Sequence, residues 1–247
     1  MENLIEQWKK DELALFKGWN FSYIKNRCIE KQPPWNYNGF AKNLVKKSKS
    51  ILDVATGGGE IFSSFAPFHG NVIAIEGYKP NIAVAKKNLS SLGVKVIESE
   101  DTRIWPFKRE EFDLVLNRHG GINISETYRV LENNGVFLTQ QVGGDNFIDL
   151  MAEFNTKPKW PENELEIVVE KMEEIGFGIK EAKKWRGKRI FKDVGAIVYL
   201  LKAVPWIVDD FSVDSHLSYL EKLQKKLEKN GKLEFIDTKF FILGVKK

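Results

Sequence analysis

Residues 51–60 constrain the fold of this chain more than any other segment. They read Ile-Leu-Asp-Val-Ala-Thr-Gly-Gly-Gly-Glu, a short apolar strand that runs directly into three consecutive glycines. Small residues allow the backbone to turn sharply and to come close to a ligand. Free amides in such a turn, at the positive end of the next helix, suit an anionic group. The segment therefore predicts a strand–turn–helix unit that binds a nucleotide-type cofactor beyond the carboxyl ends of a parallel sheet.

After this unit, short apolar strands alternate with helical stretches, as in a parallel sheet with crossover helices. Strands are predicted at 51–55, 71–75, 94–98, 112–116 and 135–140, with closing strand structure within 233–245. Residues 1–49 are interpreted as a separate layer, because an imperfect helical stripe is followed there by an aromatic-rich loop with paired prolines. The sequence thus predicts an α/β fold with an N-terminal helical and aromatic cap.

Two further acids follow the second and third predicted strands. Glu76 lies 19 residues after Gly57, where a carboxylate can accept hydrogen bonds from both ribose hydroxyls of an adenosine. Asp101 comes after the third strand, and its carboxylate could accept a hydrogen bond from an adenine amino group. Since the carboxyl ends of parallel strands meet at one edge of a sheet, these groups predict a single crevice for an adenosine-bearing cofactor.

Residues 50–142 resemble class I S-adenosylmethionine-dependent methyltransferases in the order and spacing of their motifs. The resemblance rests on the Asp53–Gly59 turn, on Glu76, on Asp101 with the following Trp-Pro-Phe, and on the strand Phe112–Leu116. In addition, Arg129–Phe137 is similar to the arginine-valine-leucine and glycine signature of the type 11, ubiquinone/menaquinone-biosynthesis-like subgroup.

The resemblance implies a doubly wound, Rossmann-like sheet of seven mostly parallel strands with an antiparallel hairpin near its end. It implies that residues 1–49 cap the cofactor and that residues 50–247 are the methyltransferase domain. S-adenosylmethionine would be the cofactor and S-adenosylhomocysteine the product. Ala55 departs from the family pattern, which usually has glycine there. The implied cofactor-binding residues are Asp53, Ala55, Thr56, Gly57, Gly59, Glu76, Gly77, Asp101, Thr102 and Asn117.

A nicotinamide or flavin dinucleotide site is the main alternative for the glycine turn. Its fingerprint, Gly-x-Gly-x-x-Gly, requires a third glycine where this chain has Phe62. That glycine permits close packing of helix on strand, so its absence counts against a dinucleotide fold. The sequence therefore favours a methyltransferase over a dehydrogenase.

The loop after the fourth predicted strand, Asn117–Gly121, also departs from the family pattern and leaves two roles open for each of its charged residues. His119 is either a general base that takes a proton from the acceptor or a structural partner of a loop carbonyl. Arg118 binds either an acidic group of the acceptor or a loop carboxylate. We further expect Tyr37 and Trp206 to line the acceptor pocket, where aromatic side chains provide apolar walls.

The composition limits the classes of molecule that the protein is expected to bind. The net charge is only +4, and the one strongly basic segment, Lys180–Lys192, is interpreted as a solvated sheet edge. We therefore predict a small-molecule acceptor, with RNA methylation and non-catalytic cofactor binding as the alternatives. Scattered histidines and the single cysteine, Cys28, offer no metal-ligand spacing.

The cysteine count, the apolar runs and the N-terminal residues indicate the cellular compartment. A lone cysteine cannot form an internal disulfide, which favours a reducing compartment. No apolar run approaches the ~20 residues of a membrane helix. The N-terminus lacks the basic start and apolar core of a secretory signal. A cytoplasmic protein is therefore expected.

Overall fold

The computed structural model describes residues 2–99 and 104–247. The described residues form one sheet of eight strands in the order β1-β7-β8-β6-β5-β2-β3-β4. The strands are β1 (Cys28–Glu30), β2 (Ser50–Val54), β3 (Asn71–Glu76), β4 (Lys95–Glu98), β5 (Phe112–Arg118), β6 (Leu131–Val142), β7 (Phe177–Phe191) and β8 (Leu233–Lys246).

Strand directions confirm the mostly parallel α/β sheet. Strands β4, β3, β2, β5 and β6 pair in parallel, and β8 pairs antiparallel with both β6 and β7. This is the expected parallel sheet with an antiparallel arrangement near its end. The sequence of residues 179–191 fits either one strand or a pair of strands folded about Gly187. The structure has one long strand, β7, whose register on β8 runs through that glycine.

The predicted number of seven strands is wrong by one. The eighth strand, β1, belongs to the N-terminal segment and pairs antiparallel with β7, so that Glu30 lies opposite Arg189. A strand of three residues is too short to show the alternation from which a strand is recognised in a sequence. The N-terminal segment thus extends the sheet as well as covering it.

Nine helices flank the sheet within the described ranges. They are α1 (Glu2–Leu13), α2 (Tyr37–Val45), α3 (Glu60–Ser63), α4 (Lys79–Leu89), α5 (Ile124–Val130), α6 (Ile148–Glu153), α7 (Leu165–Ile175), α8 (Val194–Ala203) and α9 (Leu217–Asn230). The Asn36 side chain caps α2 by accepting a hydrogen bond from Gly39 N at 2.9 Å, so the helix begins inside the segment predicted as a loop. None of these helices is long and apolar enough to cross a membrane.

Alternating side chains of the sheet enter two cores on opposite faces. Ile51 contributes to the core that contains Ala41 of α2 and Leu89 of α4. Its neighbour Leu52 contributes to the core that contains Met172 of α7. Because successive residues of a strand point to opposite faces, a strand buried on both faces reads as a continuous apolar run, as β2 does.

A third core joins the N-terminal helix to the C-terminal part of the chain. Trp8 of α1 packs with α8 and α9. Beside it, Arg27 donates to Asp11 at 2.8 Å and to Asp193 at 2.6 Å, and Asp11 is fully buried. Since a buried carboxylate is costly without a partner, this arrangement ties α1 to the start of α8. The residues between α1 and β1 are thereby held near the carboxyl ends of the strands.

Candidate cofactor and acceptor site

A cavity of about 730 Å³ lies at the carboxyl ends of β2, β3, β5 and β6, beneath residues of the N-terminal segment. This volume falls within the roughly 300–1,000 Å³ typical of small-molecule sites. We call one end the cofactor half, which is lined by Asp53, Ala55, Thr56, Gly57, Gly58, Glu76 and Tyr78. We call the other end the acceptor half, which is lined by Glu30, Arg118, His119, Arg189, Trp206 and Lys239.

The glycine turn has the conformation that its sequence predicts. Gly57 and Gly59 have φ of +64° and +78°, in the left-handed region that side chains rarely adopt. A Cβ at Gly57 would lie 3.1 Å from Trp19 Cδ1, and a Cβ at Gly59 would lie 2.8 Å from Leu89 Cδ1. The first glycine thus leaves room beneath an aromatic cover, and the second allows α3 to approach α4.

Ala55 shows how the chain accommodates its departure from glycine. It lines the cofactor half with φ +56°, which costs an alanine roughly 1–2 kcal/mol. The loop opposite provides the space: a Cβ at Gly120 would lie only 2.5 Å from the Ala55 Cβ. The Ala55 methyl group therefore fits only because Gly120 has no side chain.

Glu76 connects the first two strand ends. One carboxylate oxygen accepts from Gly57 N at 2.6 Å and the other from Tyr78 N at 2.7 Å. Burial raises the pKa of Glu76, although the amides of Tyr78, Gly57 and Gly77 act in the opposite direction. A carboxylate has about four acceptor positions, so two hydrogen bonds leave capacity for ligand hydroxyls.

Two further polar groups of the cofactor half are buried. Burial raises the pKa of the Asp53 carboxyl to about 7 and the nearby Glu76 carboxylate raises it further, whereas the adjacent Thr56 side chain and Arg118 act in the opposite direction. The Thr56 Oγ1 atom is buried and has no hydrogen-bond partner among the described residues. A cationic group beside Asp53 and a polar group beside Thr56 would relieve both costs.

The remaining predicted cofactor residues divide into three cases. Gly77 lies in the connection between β3 and α4, next to Glu76. The Asn117 side chain is buried and does not line the cavity; it accepts from Gly120 N at 3.1 Å and donates to Gly121 O at 3.0 Å. Asn117 therefore shapes the loop after β5. Asp101 and Thr102 lie outside the described residues.

His119 faces the cavity at the end of β5 with a left-handed φ of +63°. Its Nε2 lies 3.0 Å from Gln140 Nε2, and Gln140 Oε1 accepts from Trp35 Nε1 at 2.7 Å. Because a tryptophan nitrogen can only donate, the Gln140 oxygen must face Trp35 and its amide NH₂ must face His119. The His119 Nε2 lone pair is then occupied, and the ring proton is on Nδ1.

The surroundings keep this imidazole neutral. Removal from bulk water lowers the pKa of His119 well below its usual value, and Arg118, Lys239 and Arg189 lower it further. A neutral ring with Nδ1–H is a hydrogen-bond donor. The general-base prediction for His119 would require Nε2 to release Gln140, so the geometry favours a positioning role.

Aromatic residues cover both halves of the cavity, including the two that the sequence analysis named. Tyr37 is buried at the first turn of α2; burial raises the pKa of its phenol, and so does Asp53. The Trp206 ring lies 5.7 Å from the Trp19 ring and 6.2 Å from the Trp160 ring, centroid to centroid. These rings form an apolar wall of the cavity.

Comparisons with known proteins agree with this geometry. Residues 52–139 match the family model described as a methyltransferase domain. This span includes the glycine turn, Glu76 and the strands that position them. Residues 52–139 therefore form a methyltransferase domain. S-adenosylmethionine is the cofactor of this methyltransferase.

Solved structures share its fold. A candidate methyltransferase of Bacillus halodurans is 20% identical, with a TM-score of 0.60 over 85% of this chain and 98% of its own. A methyltransferase of Geobacter sulfurreducens, in complex with S-adenosylhomocysteine, is 15% identical, with a TM-score of 0.50 over 84% and 89%. The cyclase SpnF is 14% identical, with a TM-score of 0.51 over 98% and 92%. A search of curated proteins found no match.

The cofactor half of this methyltransferase fits S-adenosylmethionine in three respects. Glu76 has free acceptor capacity for ribose hydroxyls, Asp53 is a buried acid suited to an amino group, and the Gly57 turn leaves room for close approach. Among residues 2–99 and 104–247, no group of three His, Cys, Asp or Glu side chains is arranged to hold a metal.

Sequence reasoning missed the charged residues of the acceptor half. Arg189 donates to Glu30 at 2.7 Å and to Asp237 at 3.0 Å. Lys239 donates to Glu30 at 2.9 Å and to Asp237 at 3.0 Å, although Lys239 is only 2% exposed. These residues come from β1, β7 and β8, so no local motif contains them. Alternation along β8 offers the only signal, because it leaves a lysine among inward-facing positions.

Proposed function

We propose that this methyltransferase transfers a methyl group to a small molecule bound in the acceptor half of the cavity. The observation that carries the proposal is the enclosure of the cavity: Trp19 and Trp206 cover it, and about 730 Å³ is shared between cofactor and acceptor. A covered cavity of this size suits a small molecule, whereas methylated RNA needs an open, basic face.

The ion pairs of the basic segment Lys180–Lys192 also favour a small-molecule acceptor over RNA. Within Lys180–Lys192, ion pairs with acids occupy five of the cations. Lys183 pairs with Glu181 and Lys184 pairs with Glu164, both on the protein's own surface. Cations already paired with carboxylates give little attraction for phosphates, because binding would have to break those pairs. RNA methylation is therefore the weaker alternative.

The chain's own residues mainly supply position and a dry environment. S-adenosylmethionine, when bound, supplies an electrophilic methyl group on a sulfonium. Glu76 and the Gly57 turn would hold its nucleoside, and Asp53 would face its amino group. Tyr37 and Trp19 would exclude water, which strengthens electrostatic interactions in the cavity. Holding the acceptor nucleophile in line with the methyl group at ~3–3.5 Å can lower the activation free energy by up to ~7–11 kcal/mol.

The acceptor itself is found by following the methyl group. Protein and isotope-labelled S-adenosylmethionine are incubated with a cell extract that has been divided into a dialysable fraction and an RNA fraction. We expect label in a dialysable product and formation of S-adenosylhomocysteine in proportion. Label in RNA would support the RNA alternative instead, and cofactor binding without any transfer would support the non-catalytic one. The Glu76→Gln variant serves as the control with weakened cofactor binding.

A further inference from the structure

Three cations line the acceptor half, and two of them are neutralised. Arg189 and Lys239 share the carboxylates of Glu30 and Asp237, with all four contacts between 2.7 and 3.0 Å. Burial would raise the pKa of Glu30, but Arg189 and Lys239 together lower it, so this carboxylate remains ionised. These four residues form a balanced ionic cluster at the β1, β7 and β8 side of the cavity.

The third cation, Arg118, is different. It ends β5 and lines the cavity, yet no carboxylate of the described residues lies within ion-pair distance of its guanidinium. Its Nε is buried and has no hydrogen-bond partner among the described residues. A buried guanidinium nitrogen without a partner is costly, which indicates that its partner is a ligand. One positive charge of the cavity thus lacks an ion pair, and Asp53 and Glu30 interact with it only at longer range.

The neighbouring groups define what this ligand looks like. His119 follows Arg118 directly and is a neutral donor at Nδ1, so it adds a hydrogen-bond donor without a second charge. Trp206, in ring contact with Trp19 and Trp160, provides an apolar wall of the same cavity. A planar guanidinium binds a carboxylate through paired hydrogen bonds, and the wall suits a ring.

We infer that Arg118 binds a carboxylate of the methyl acceptor, which is therefore a small anion with an apolar, ring-sized body. This inference rests on the proposed function. The methionine part of the cofactor also carries a carboxylate and is therefore a second source of an anion for Arg118. Arg118 also interacts electrostatically with Asp53 of the cofactor half. We assign it to the acceptor because it interacts with Glu30 and is followed directly by His119, and both of these residues line the acceptor half.

Matched acids and amides test the inference. Phenylacetate and phenylacetamide, and indole-3-acetate and indole-3-acetamide, are titrated calorimetrically into protein saturated with S-adenosylhomocysteine. We expect each acid to bind about tenfold more tightly than its amide, as one charge-assisted hydrogen bond would give. Arg118→Met should abolish this preference, and Arg118→Lys should retain only part of it.

The matched control is Lys159→Met. Lys159 is an exposed cation at the rim of the same cavity, and it already pairs with Asp209 at 2.5 Å, so its loss should leave the preference for acids intact. Equal binding of acids and amides by the wild type, or a preference that survives Arg118→Met, would overturn the inference.

The source of the carboxylate is distinguished by a second titration. If Arg118→Met weakens S-adenosylhomocysteine binding and leaves the acid preference unchanged, Arg118 holds the cofactor and the inference is wrong. Unchanged S-adenosylhomocysteine affinity together with a lost acid preference supports it. Failure of the wild type to bind S-adenosylhomocysteine would refute the proposed function. This binding is measured independently of the ratio of acid affinity to amide affinity, so the two failures can be distinguished.

Discussion

The two halves of the cavity are built in different ways. The cofactor half comes from two adjacent parallel strands, and its contacts are largely between carboxylates and backbone amides, as in Glu76 with Gly57 and Tyr78. The acceptor half combines side chains from distant parts of the chain, such as Glu30, Arg118 and Lys239. Backbone contacts depend on conformation and side-chain contacts depend on residue identity. We therefore expect the first half to determine which cofactor binds and the second half to determine which acceptor binds.

The largest expected effect tests the cofactor half. Glu76→Gln replaces a carboxylate that accepts from Gly57 and Tyr78 at 2.6 and 2.7 Å. Hydrogen bonds to charged groups contribute roughly 1.5–3 kcal/mol each, so we expect S-adenosylhomocysteine affinity to fall about 100-fold by calorimetry. Glu60→Gln is the control, because the exposed Glu60 lies beside the same turn. An equal loss in both variants would contradict the special role of Glu76.

Substitution of Asp53 should affect the stability of the protein and its affinity for the cofactor in opposite directions. Its folded-state pKa of about 7 lies above its usual value, so the native state binds a proton that the unfolded state has lost between about pH 4 and pH 7. Stability therefore falls as pH rises through this window. Asp53→Asn should be more stable than the wild type at about pH 8, by up to about 4 kcal/mol in urea unfolding, and no more stable at about pH 4.

The same residue predicts the pH dependence of cofactor binding. If ionised Asp53 faces the amino group of the cofactor, wild-type affinity should fall up to about tenfold per pH unit below pH 7 and be constant above about pH 8. Asp53→Asn should bind more weakly at high pH and lose this dependence. A wild-type profile that is flat across the range would exclude Asp53 as the group that titrates.

An intermediate effect tests the positioning of His119. Trp35→Phe removes the donor that orients Gln140, and one neutral hydrogen bond contributes about 1 kcal/mol, so kcat should fall several-fold with S-adenosylhomocysteine affinity unchanged. Nitrogen NMR of labelled histidine should show the His119 proton on Nδ1 in the wild type. Trp185→Phe provides the control, since Trp185 does not contact Gln140 by hydrogen bond. A wild-type proton on Nε2 would refute the assignment.

The smallest effect concerns the glycine turn. Ala55→Gly relieves a left-handed φ of +56° and should stabilise the protein by roughly 0.5–1 kcal/mol in urea unfolding. Gly120→Ala should destabilise the wild type, because its methyl would meet Ala55 Cβ at 2.5 Å, and should do so less in the Ala55→Gly background. Additive effects of the two substitutions would show that the residues are not matched. Ala41→Gly, within α2, should only destabilise.

Predictions from the sequence located structural features that consecutive residues encode. The strand β2, the glycine turn and Glu76 could be located because apolar runs, glycines and a single spaced acid are local patterns. Asn117 shows the limit: its position after the fourth predicted strand is as expected, but its side chain supports the loop and does not line the cavity. The position of a residue in a motif does not determine where its side chain points.

The sequence by itself determined the α/β class, the parallel sheet and the cofactor turn, because strand alternation, helix periodicity and glycine conformation act over a few neighbouring residues. Only the tertiary structure decided that β1 joins the sheet, that Trp35 orients Gln140 toward His119, and that Arg118 alone among the cavity-lining cations of the described residues lacks an acidic partner. Glu30 and Lys239 are 209 residues apart in the chain and 2.9 Å apart in space. Such pairs depend on how every intervening element packs, and no local pattern encodes that distance.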